Sequence, residues 1–580
     1  MTTFHYIWRL IVYRPWLYAV NLLMWIIILV APLATGLVVR EYFDTLIGDG
    51  RAGLSLNSLF AVLIGITLGR LVFMLLGALT DIRHRFMVKS LLTANVFKRI
   101  LERPGAASLD DTVGEAIGRF RDDTQQIEHA VSWLLDVVGM GLFALASLMI
   151  LLRINARVAM VTFVPMFVVA GLSRLVSQRI DYYRRASRAA ASAAVGATGE
   201  AFTAVQGVKL AVAEGRVTDY IRRLNERRRR LQLRDRLVTE TFNTIYENTV
   251  SIGTGVILLL AAGGMSEGTF TVGDFSLFAY YLGYVTDFTA FFGKMLVFFR
   301  QTGVAFERLV ELMVGAPSAR LVQHNPVYID GPPPALTVPE VRPEHRLAEL
   351  TVEGLTCRYP RSDKGIDGVS LTVRRGEFVV VTGRIGAGKT TLLRCILGLV
   401  PPIAGAIRWN GRAVADPRSF FGPPRSAYLP QVPALFSDSL RGNVTLGWPD
   451  ESGVDEALRL AAFEADLTEM PDGLDTVVGA RGLKLSGGQQ HRVAAARMFL
   501  RRAELLVIDD LSSAVDVNTE AAIWSGLFAE PGLTCLVVSH RRAALRRADR
   551  IIVLADGRLA DSGTLEELLD RCPVMREIWG

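Results

Sequence analysis

The sequence predicts a multi-domain membrane protein, in which an all-α domain with six transmembrane helices precedes an α/β domain of the P-loop NTPase type. Apolar stretches of bilayer length recur in the first half, and a glycine-rich stretch, GRIGAGKTT, lies in a second half that has the composition of a soluble α/β domain. The 580 residues are too many for one hydrophobic core. We therefore expect a transmembrane domain with two long intracellular loops at 1–315, a linker at 316–346 and a nucleotide-binding domain at 347–580.

The six expected spans are apolar stretches of roughly 20 residues, the length that crosses a bilayer as a helix. An odd number of spans would place the arginine-rich segments on opposite sides of the membrane. A buried soluble helix is the alternative for the fourth. The spans are Trp16–Val39, Ser55–Leu79, Val131–Leu152, Val158–Leu175, Tyr246–Met265 and Phe275–Phe299.

The orientation of the spans follows from the distribution of lysine and arginine, which are enriched in cytoplasmic loops. The long connections 81–129 and 177–236 are basic, whereas the connections 40–54 and 263–274 are short and contain several acids. We therefore expect an integral, multi-pass protein of the cytoplasmic membrane, with both termini and the soluble domain in the cytoplasm. The richness in arginine, alanine and glycine suggests a bacterial source.

The charge and the cysteines argue against other classes of protein. The net charge of +7 is modest, and none of the four cysteines belongs to a C-x-x-C pair, so a metal or disulfide role is not indicated. The densest arginine cluster, Ile221–Arg236, has two interpretations: a patch for RNA or lipid headgroups, or a solvated cytoplasmic helix near the membrane. The second is favoured, and no nucleic-acid partner is expected.

The stretch from Gly383 to Thr391 matches the phosphate-binding loop G-x-x-x-x-G-K-[ST]. Its glycines let backbone N–H groups surround a polyphosphate at the positive end of the following helix. The lysine would reach the β- and γ-phosphates, and the hydroxyl of Thr390 would bind Mg²⁺. The ATP-binding residues expected here are Gly383, Arg384, Ile385, Gly386, Ala387, Gly388, Lys389, Thr390 and Thr391.

A second motif, LSGGQ, follows downstream and consists of Leu485, Ser486, Gly487, Gly488 and Gln489. The pair of motifs resembles the ATP-binding cassette (ABC) family. The resemblance implies that LSGGQ acts in trans, facing the γ-phosphate bound at the lysine of a partner chain. One cassette would then hold two half-sites and no complete site, so dimerisation would be required.

An apolar run that ends in acids, ELLVIDD, predicts a buried strand that delivers Asp509 and Asp510 to the edge of a parallel sheet. Asp509 would hold Mg²⁺. The resemblance places Asp510 where the family normally has Glu, the carboxylate that polarises the attacking water. The shorter side chain predicts slow hydrolysis unless the backbone compensates.

Three further residues take roles from the same resemblance. Tyr359 matches the aromatic residue that stacks on adenine. Gln431 matches the glutamine that binds Mg²⁺ or positions water, and His540 matches the switch histidine that contacts the γ-phosphate. The catalytic set is thus Asp510, His540 and Gln431, and the Mg²⁺ ligands are Thr390, Gln431 and Asp509.

The order of spans, linker and cassette resembles an ABC half-transporter of the exporter type over the whole chain. This implies ATP-driven export of an unidentified, amphipathic substrate by a homo- or heterodimer in the lipid bilayer, with ATP and Mg²⁺. Two alternatives remain open: a catalytically weak regulatory half of a heterodimer, and an ATP-gated membrane protein that transports nothing.

The sixth span carries polar and aromatic residues every three or four positions, which places them on one helical face. Charged residues inside a span normally face the bundle interior or a water-filled cavity, although a structural ion-pair network is the alternative. This face is the expected substrate path, formed by Tyr280, Tyr284, Asp287, Phe291 and Lys294.

Overall fold

The computed structural model describes the chain except positions 49, 51, 104, 106–112, 267–269, 330, 332–339, 360–363, 480, 481, 483, 512–516 and 530–531. It does not describe the side chains at the helical positions 113–115, 161–181, 242–243, 245–247, 249–250, 253, 266, 517–518 and 529. The chain divides into two compact units. The first contains Met1–Phe97 and Val113–Ile329, and the second contains Lys98–Thr112 and Asp330–Gly580.

The described residues of the first unit contain helices, turns and irregular connections but no strand. Its α-helices are α1 (Thr3–Tyr13), α2 (Pro15–Ile47), α3 (Leu56–Leu101), α4 (Val113–Gly118), α5 (Thr124–Thr203), α6 (Val205–Leu210), α7 (Glu214–Ser266) and α8 (Val272–Leu312). A π-helical turn, Arg119–Asp123, joins α4 to α5.

Helix α5 consists of two helical parts that meet at Asn155. The backbone of Asn155 is extended, with φ −153° and ψ 100°, and its side-chain oxygen accepts a hydrogen bond of 3.1 Å from the N–H of Val158. An asparagine that caps the N–H three residues ahead is a typical start of a helix. The break lies between the predicted third and fourth spans.

Four helical segments of the described residues are long and apolar enough to cross a membrane: Pro15–Ile47, Leu56–Leu101, Ala116–Met160 and Val272–Leu312. They contain the predicted spans one, two, three and six. A shorter apolar segment, Thr254–Met265, coincides with the second half of span five. Most side chains of span four, and several at the start of span five, lie outside the described residues, so the count of six stays a prediction.

The ends of α2 and α8 are joined by a buried polar contact. Asp44 accepts a hydrogen bond of 2.9 Å from the N–H of Gly273, and Arg40 forms an ion pair of 2.9 Å with Asp274. A Cβ atom at Gly273 would lie 2.3 Å from the carbonyl oxygen of Arg40, so only glycine fits. The two short acidic connections of the sequence therefore meet at one end of the unit.

The second unit contains two sheets in its described residues. The strands are β1 (Glu349–Arg358), β2 (Gly365–Arg374), β3 (Phe378–Gly383), β4 (Ala404–Trp409), β5 (Arg412–Ala413), β6 (Ser426–Leu429), β7 (Leu505–Asp509), β8 (Thr534–Val538), β9 (Arg550–Ala555) and β10 (Arg558–Gly563). The helices are α9 (Lys389–Ile396), α10 (Pro417–Phe420), α11 (Leu440–Thr445), α12 (Val454–Leu460), α13 (Glu464–Glu469), α14 (Gly487–Leu500), α15 (Val517–Ala529), α16 (Arg542–Arg547), α17 (Leu565–Arg571) and α18 (Pro573–Trp579).

The smaller sheet is antiparallel, in the order β2-β1-β4-β5, and the larger has the order β10-β9-β3-β8-β7-β6. In the larger sheet β9, β3, β8, β7 and β6 are parallel, and β10 pairs antiparallel with β9. Strands β3, β7 and β8 are fully buried. This matches their sequences, because a parallel strand covered on both faces is apolar along its whole length.

Candidate nucleotide-binding site

Four groups of predicted site residues lie at the ends of adjacent parallel strands of the larger sheet. The phosphate-binding loop follows β3, Ser539 and His540 follow β8, Asp509 ends β7, and Gln431 lies two residues beyond β6. Carboxyl ends of parallel strands meet at one edge of a sheet, where α/β folds bind ligands. The strand order therefore brings these elements to a common edge.

The phosphate-binding loop has backbone angles that require glycine. Gly383, Gly386 and Gly388 have φ of 150°, 85° and 96°. A Cβ atom at Gly388 would lie 2.9 Å from Cγ2 of Ile366, and one at Gly383 would lie 2.3 Å from the carbonyl oxygen of Leu554. The loop is thus fixed both by conformation and by close packing, and it leads directly into α9 at Lys389.

Lys389 and Thr390 are the residues expected to bind the two parts of a Mg-nucleotide, its phosphates and its metal ion. The ammonium of Lys389 donates hydrogen bonds to the carbonyl oxygens of Gly383 (2.7 Å) and Arg384 (2.9 Å), so it lies within the loop. The Thr390 hydroxyl donates a hydrogen bond of 2.9 Å to Asp509, which joins two of the expected Mg²⁺ ligands. Burial lowers the pKa of Lys389, and the nearby Asp510 and Asp509 oppose that shift.

The donor set fits a magnesium ion that is also bound by phosphate and water oxygens. Asp509 is buried and supplies carboxylate oxygens, and Thr390 supplies a hydroxyl. In the part of the chain that the structure describes, no group of three His, Cys, Asp or Glu residues could hold a metal alone. Mg²⁺ is commonly bound by one or two carboxylates together with substrate phosphates, so this sparse set suits it.

Sequence reasoning missed two side chains that connect the site. The Tyr428 hydroxyl donates a hydrogen bond of 3.3 Å to Asp509, and burial together with Asp509 raises the pKa of Tyr428 to about 12. Arg394, on α9, donates a hydrogen bond of 3.4 Å to the hydroxyl of Tyr359. The position of Tyr428 on β6, three residues before Gln431, is the signal that could have identified it.

Asp510 has φ +58°, a left-handed conformation that is uncommon for residues other than glycine but tolerated by aspartate. Its N–H donates a hydrogen bond of 3.2 Å to the carbonyl of Val538, at the end of β8. His491, which the sequence did not single out, is buried on α14. Burial lowers the pKa of His491, while Asp510 and the backbone of Gln431 oppose the shift. Asp510, Gln431 and His491 therefore lie near one another.

Gln431 and His540 are both exposed, and Tyr359 follows the last residue of β1. The structure thus places Tyr359 directly after β1, and places Gln431 and His540 two residues beyond β6 and β8. Their catalytic and binding roles stay predictions. The SSAVD segment, 512–516, which resembles the loop that crosses between two nucleotide sites, lies outside the described residues.

The LSGGQ motif forms the start of α14. Ser486 is the N-cap: its hydroxyl accepts a hydrogen bond of 3.2 Å from the N–H of Gln489, whose side chain accepts one of 2.9 Å from the N–H of Ser486. This capping box fixes the helix start, while Ser486 and Gly487 stay exposed. An exposed helix N-terminus of this kind favours an anionic ligand.

The expected substrate path lies on α8. The rings of Tyr280 and Tyr284 are 5.2 Å apart, and Trp133 of α5 contacts Phe291 at 5.3 Å. Among the described residues no ion pair joins Lys294 to Asp287, which fits their separation of two helical turns. The sequence did not single out Tyr281, a buried neighbour whose hydroxyl donates a hydrogen bond of 2.6 Å to the carbonyl of Leu33.

Comparison with protein families yields two matches in this chain. Residues 18–287 match the ABC transporter transmembrane region, and residues 366–513 match the ABC transporter family itself. Together these two segments include most of the chain.

Several bacterial transport proteins are similar along most of this sequence. The multidrug resistance-like ATP-binding protein MdlA of Escherichia coli is 27% identical, over 98% of this chain and 94% of that protein. An ATP-dependent lipid A-core flippase of Ralstonia nicotianae is 28% identical, over 92% and 88%. A multidrug efflux ATP-binding/permease protein of Mycobacterium tuberculosis is 29% identical over 86% of this chain, and the match spans 40% of that longer protein.

Among solved structures, a bacterial Atm1-family ABC exporter with ATP bound is similar in fold. The TM-score is 0.77 at 23% sequence identity, with 98% of each chain covered. The predicted fold class is therefore confirmed: a helical transmembrane domain of the ABC exporter type precedes a P-loop nucleotide-binding domain.

Proposed function

We propose that this chain, which belongs to the ABC transporter family, is one half of a dimeric exporter that uses ATP to move an amphipathic substrate out of the bacterial cytoplasm. The family membership makes it a multi-pass membrane protein with an ATP-binding domain. The dimer, the Mg²⁺ ion, the cytoplasmic location of both termini and the class of substrate are the parts that we propose.

The observation that carries the proposal is the hydrogen bond between Thr390 and Asp509, beside the ammonium of Lys389. It joins the phosphate-binding loop to the acid at the end of β7, as a metal-nucleotide site requires. Thr390 and Asp509 would hold Mg²⁺, and Gln431 would complete the set or position water. The metal would supply charge neutralisation on the phosphate oxygens. Lys389 would bind the phosphates, and Asp510 would accept the proton of the attacking water.

Two features support a second chain. Ser486 and the start of α14 are exposed, so the signature motif is available to a nucleotide held elsewhere. The short connection around α6 also exposes large apolar side chains: Phe202 is 77% exposed, Leu210 88% and Val212 84%. An exposed apolar cluster of this kind is typical of a surface that another protein covers. A second copy, or a related half-transporter, would cover it.

The stripe on α8 supports an amphipathic substrate. Aromatic rings and two charged groups lie along one face of a segment that is long and apolar enough to span the membrane. Such a face offers both apolar contact and polar recognition. The relatives are named for two different substrate classes, multidrug efflux and lipid A-core flipping, so the proposal names a class and no individual compound.

The proposal is tested with Lys389→Ala in the purified protein and in inverted vesicles, to which fluorescent amphiphiles and ATP are added from outside. Loss of the ammonium should abolish ATP hydrolysis and ATP-driven uptake, because the phosphates lose their charge partner. Arg412→Ala, at an exposed position of β5, removes the same charge from the same domain and should leave both activities intact. The chain composition of the dimer is determined first by native mass spectrometry. Unchanged hydrolysis by a Lys389→Ala homodimer would refute the site assignment.

A second candidate function is favoured by Asp510. An aspartate of short reach, held at φ +58°, supports a chain that binds ATP but hydrolyses it slowly, as the regulatory half of a heterodimer. Turnover by the chain purified alone, compared with turnover in the presence of a co-purified partner, separates the two candidates. Alone, a regulatory half would bind ATP without releasing phosphate.

A further inference from the structure

The second part of α5 and the first part of α7 border a cleft of about 960 Å³. One wall is α7, with Arg223, Arg227, Arg230 and Arg234, and the other is α5 from Tyr182 to Ala193. We call this space the arginine cleft. It lies within the first unit, remote in sequence from the phosphate-binding loop, and neither the nucleotide site nor the stripe on α8 includes any of its residues.

The four arginines recur at intervals of four, three and four residues. This spacing places them on a single face of α7. When such a face lies against another helix it is ordinarily apolar, because packing of side chains between helices holds the two together. Here four exposed arginines follow one another along the face, and Arg222, Leu224, Glu226 and Leu231 also line the cleft.

The opposing wall is built from alanines. Ala186, Ala190 and Ala193 of α5 follow the same spacing and line the cleft. A short turn around α6 connects α5 to α7. Positions at about the same distance from that turn, such as Ala190 and Arg227, therefore lie opposite each other. These methyl side chains leave the volume open and offer the arginines no acceptor, and Tyr182 adds a hydroxyl to the same wall.

The charge of the cleft is not balanced locally. The segment 221–236 contains eight arginines and two acids, a net charge of +6 in a chain whose total is +7. Glu226 accepts hydrogen bonds from Arg229 and Arg230. Among the described residues no carboxylate forms an ion pair with Arg223, Arg227 or Arg234. The facing segment of α5, 182–199, has three further arginines and no acid.

A purely solvated helix face does not explain this arrangement. Like charges three or four residues apart destabilise a helix, and soluble surfaces usually intersperse both signs. Within 221–236 the positions that line the cleft hold five arginines and one acid, whereas the remaining positions hold three arginines and one acid. Of the lining arginines, Arg222 pairs with Asp219 and Arg230 pairs with Glu226. The cationic excess is therefore concentrated on the face that borders the cleft.

We propose that the arginine cleft is a binding site for a multivalent anion of the phosphate type. Guanidinium groups bind phosphate through paired hydrogen bonds in a fixed fork, and several of them around one space favour a ligand with more than one phosphate charge. Arg234 lies twelve residues before Tyr246, roughly 18 Å along a helix, so the cleft extends away from the expected membrane surface. The phosphate belongs either to a soluble compound or to the headgroup of an anionic amphiphile.

The test uses the full chain in phosphatidylcholine nanodiscs and titrates inorganic tripolyphosphate by calorimetry. All variants carry Lys389→Ala, so that the phosphate-binding loop contributes little. The test variant, R223Q/R227Q/R234Q, removes three charges that line the cleft. The control variant, R228Q/R229Q/R236Q, removes three charges from the same helix that do not line it.

The cleft variant should weaken tripolyphosphate binding by about tenfold or more, since each charge-assisted bond contributes substantially. The control should change it by less than about threefold, through the screened field alone. Equal weakening in both variants, or no binding by the parent, would overturn the proposal. If the triple variant does not fold, Arg227→Gln replaces it against Arg228→Gln, with the same criterion. The same titration in nanodiscs that contain phosphatidylglycerol distinguishes the two sources of the phosphate group. Loss of tripolyphosphate binding there would assign the cleft to lipid headgroups. Unchanged binding would assign it to soluble phosphates.

Discussion

Substitutions at Asp510 should separate the stability of the nucleotide-binding domain from its turnover. Asp510 adopts φ +58°, in the left-handed region. Asparagine and aspartate enter this region at low cost because their short polar side chains can hydrogen-bond locally, whereas glutamate lacks that advantage. Asp510→Asn therefore changes the charge and keeps the backbone preference, while Asp510→Glu keeps the charge and loses the preference.

The two substitutions differ in expected magnitude. Glutamate should lower the free energy of unfolding by about 1 kcal/mol, the lower end of the cost of the left-handed conformation. In a domain of 150–250 residues this corresponds to a fall in Tm of roughly 2–4 °C. Asparagine should leave Tm nearly unchanged. If Asp510 is the general base, asparagine should reduce turnover by about 10²–10⁴, whereas glutamate, whose carboxylate reaches about 1.5 Å further, should keep or raise it.

The assay combines phosphate release, ATP binding and thermal unfolding of the purified protein. Asp556 provides a matched control, because it has φ +48° in the exposed turn between β9 and β10. Asp556→Glu should lower Tm to a similar extent and leave turnover unchanged. An Asp510→Asn protein that hydrolyses ATP as fast as the parent would refute the role of Asp510 as the base. An Asp510→Glu protein with the Tm of the parent would refute the reasoning about its backbone.

Two further predictions concern ligand contacts. Tyr359→Ala should weaken ATP binding by about 1–3 kcal/mol in a nucleotide titration, because the stacking on the base is lost. Tyr359→Phe keeps the ring and should bind ATP as the parent does. Equal losses in both variants would point instead to the hydrogen bond from Arg394. Cysteines introduced at Tyr284, Asp287 and Phe291 should react with water-soluble maleimides, because the stripe on α8 lines the proposed cavity. Trapping the protein with ATP should change the extent of labelling. Absence of labelling in every nucleotide state would leave only the ion-pair interpretation.

The grouping of site residues at one edge of the larger sheet was predictable, because it depends only on which segments are apolar strands and which residues follow them. Apolar runs that end in Asp509 or His540 identify parallel strands and the side on which they end. The contacts between site residues were not predictable in the same way. The hydrogen bond from Tyr428 to Asp509 and the one from Arg394 to Tyr359 depend on the side-chain geometry of residues distant in sequence.

In the membrane domain, hydrophobicity predicts where a helix can cross but not where it ends. Helix α3 continues for 22 residues beyond the predicted end of span two, at Leu79, because its later residues are polar yet equally able to form helix. The break at Asn155 lies in the predicted connection between spans three and four, beside the arginines at 153 and 157, but its extended backbone was not predicted. The left-handed angle of Asp510 has no signature in the sequence, since aspartate is common in every loop.

Three places where the chain departs from local preference lie at proposed functional sites. Val212 combines a β-branched side chain, φ +48° and 84% exposure, three properties that are each unfavourable in an isolated helical connection. Asp510 has a left-handed backbone beside Asp509, and the face of α7 that borders the arginine cleft carries five arginines and one acid. Strain persists in proteins where the surrounding structure enforces it, and such positions cluster at sites of function. A second chain that packs on the connection around α6 would hold Val212 in this conformation. The exposed Ser486 also requires a second chain, because the signature motif is expected to act on a partner's nucleotide.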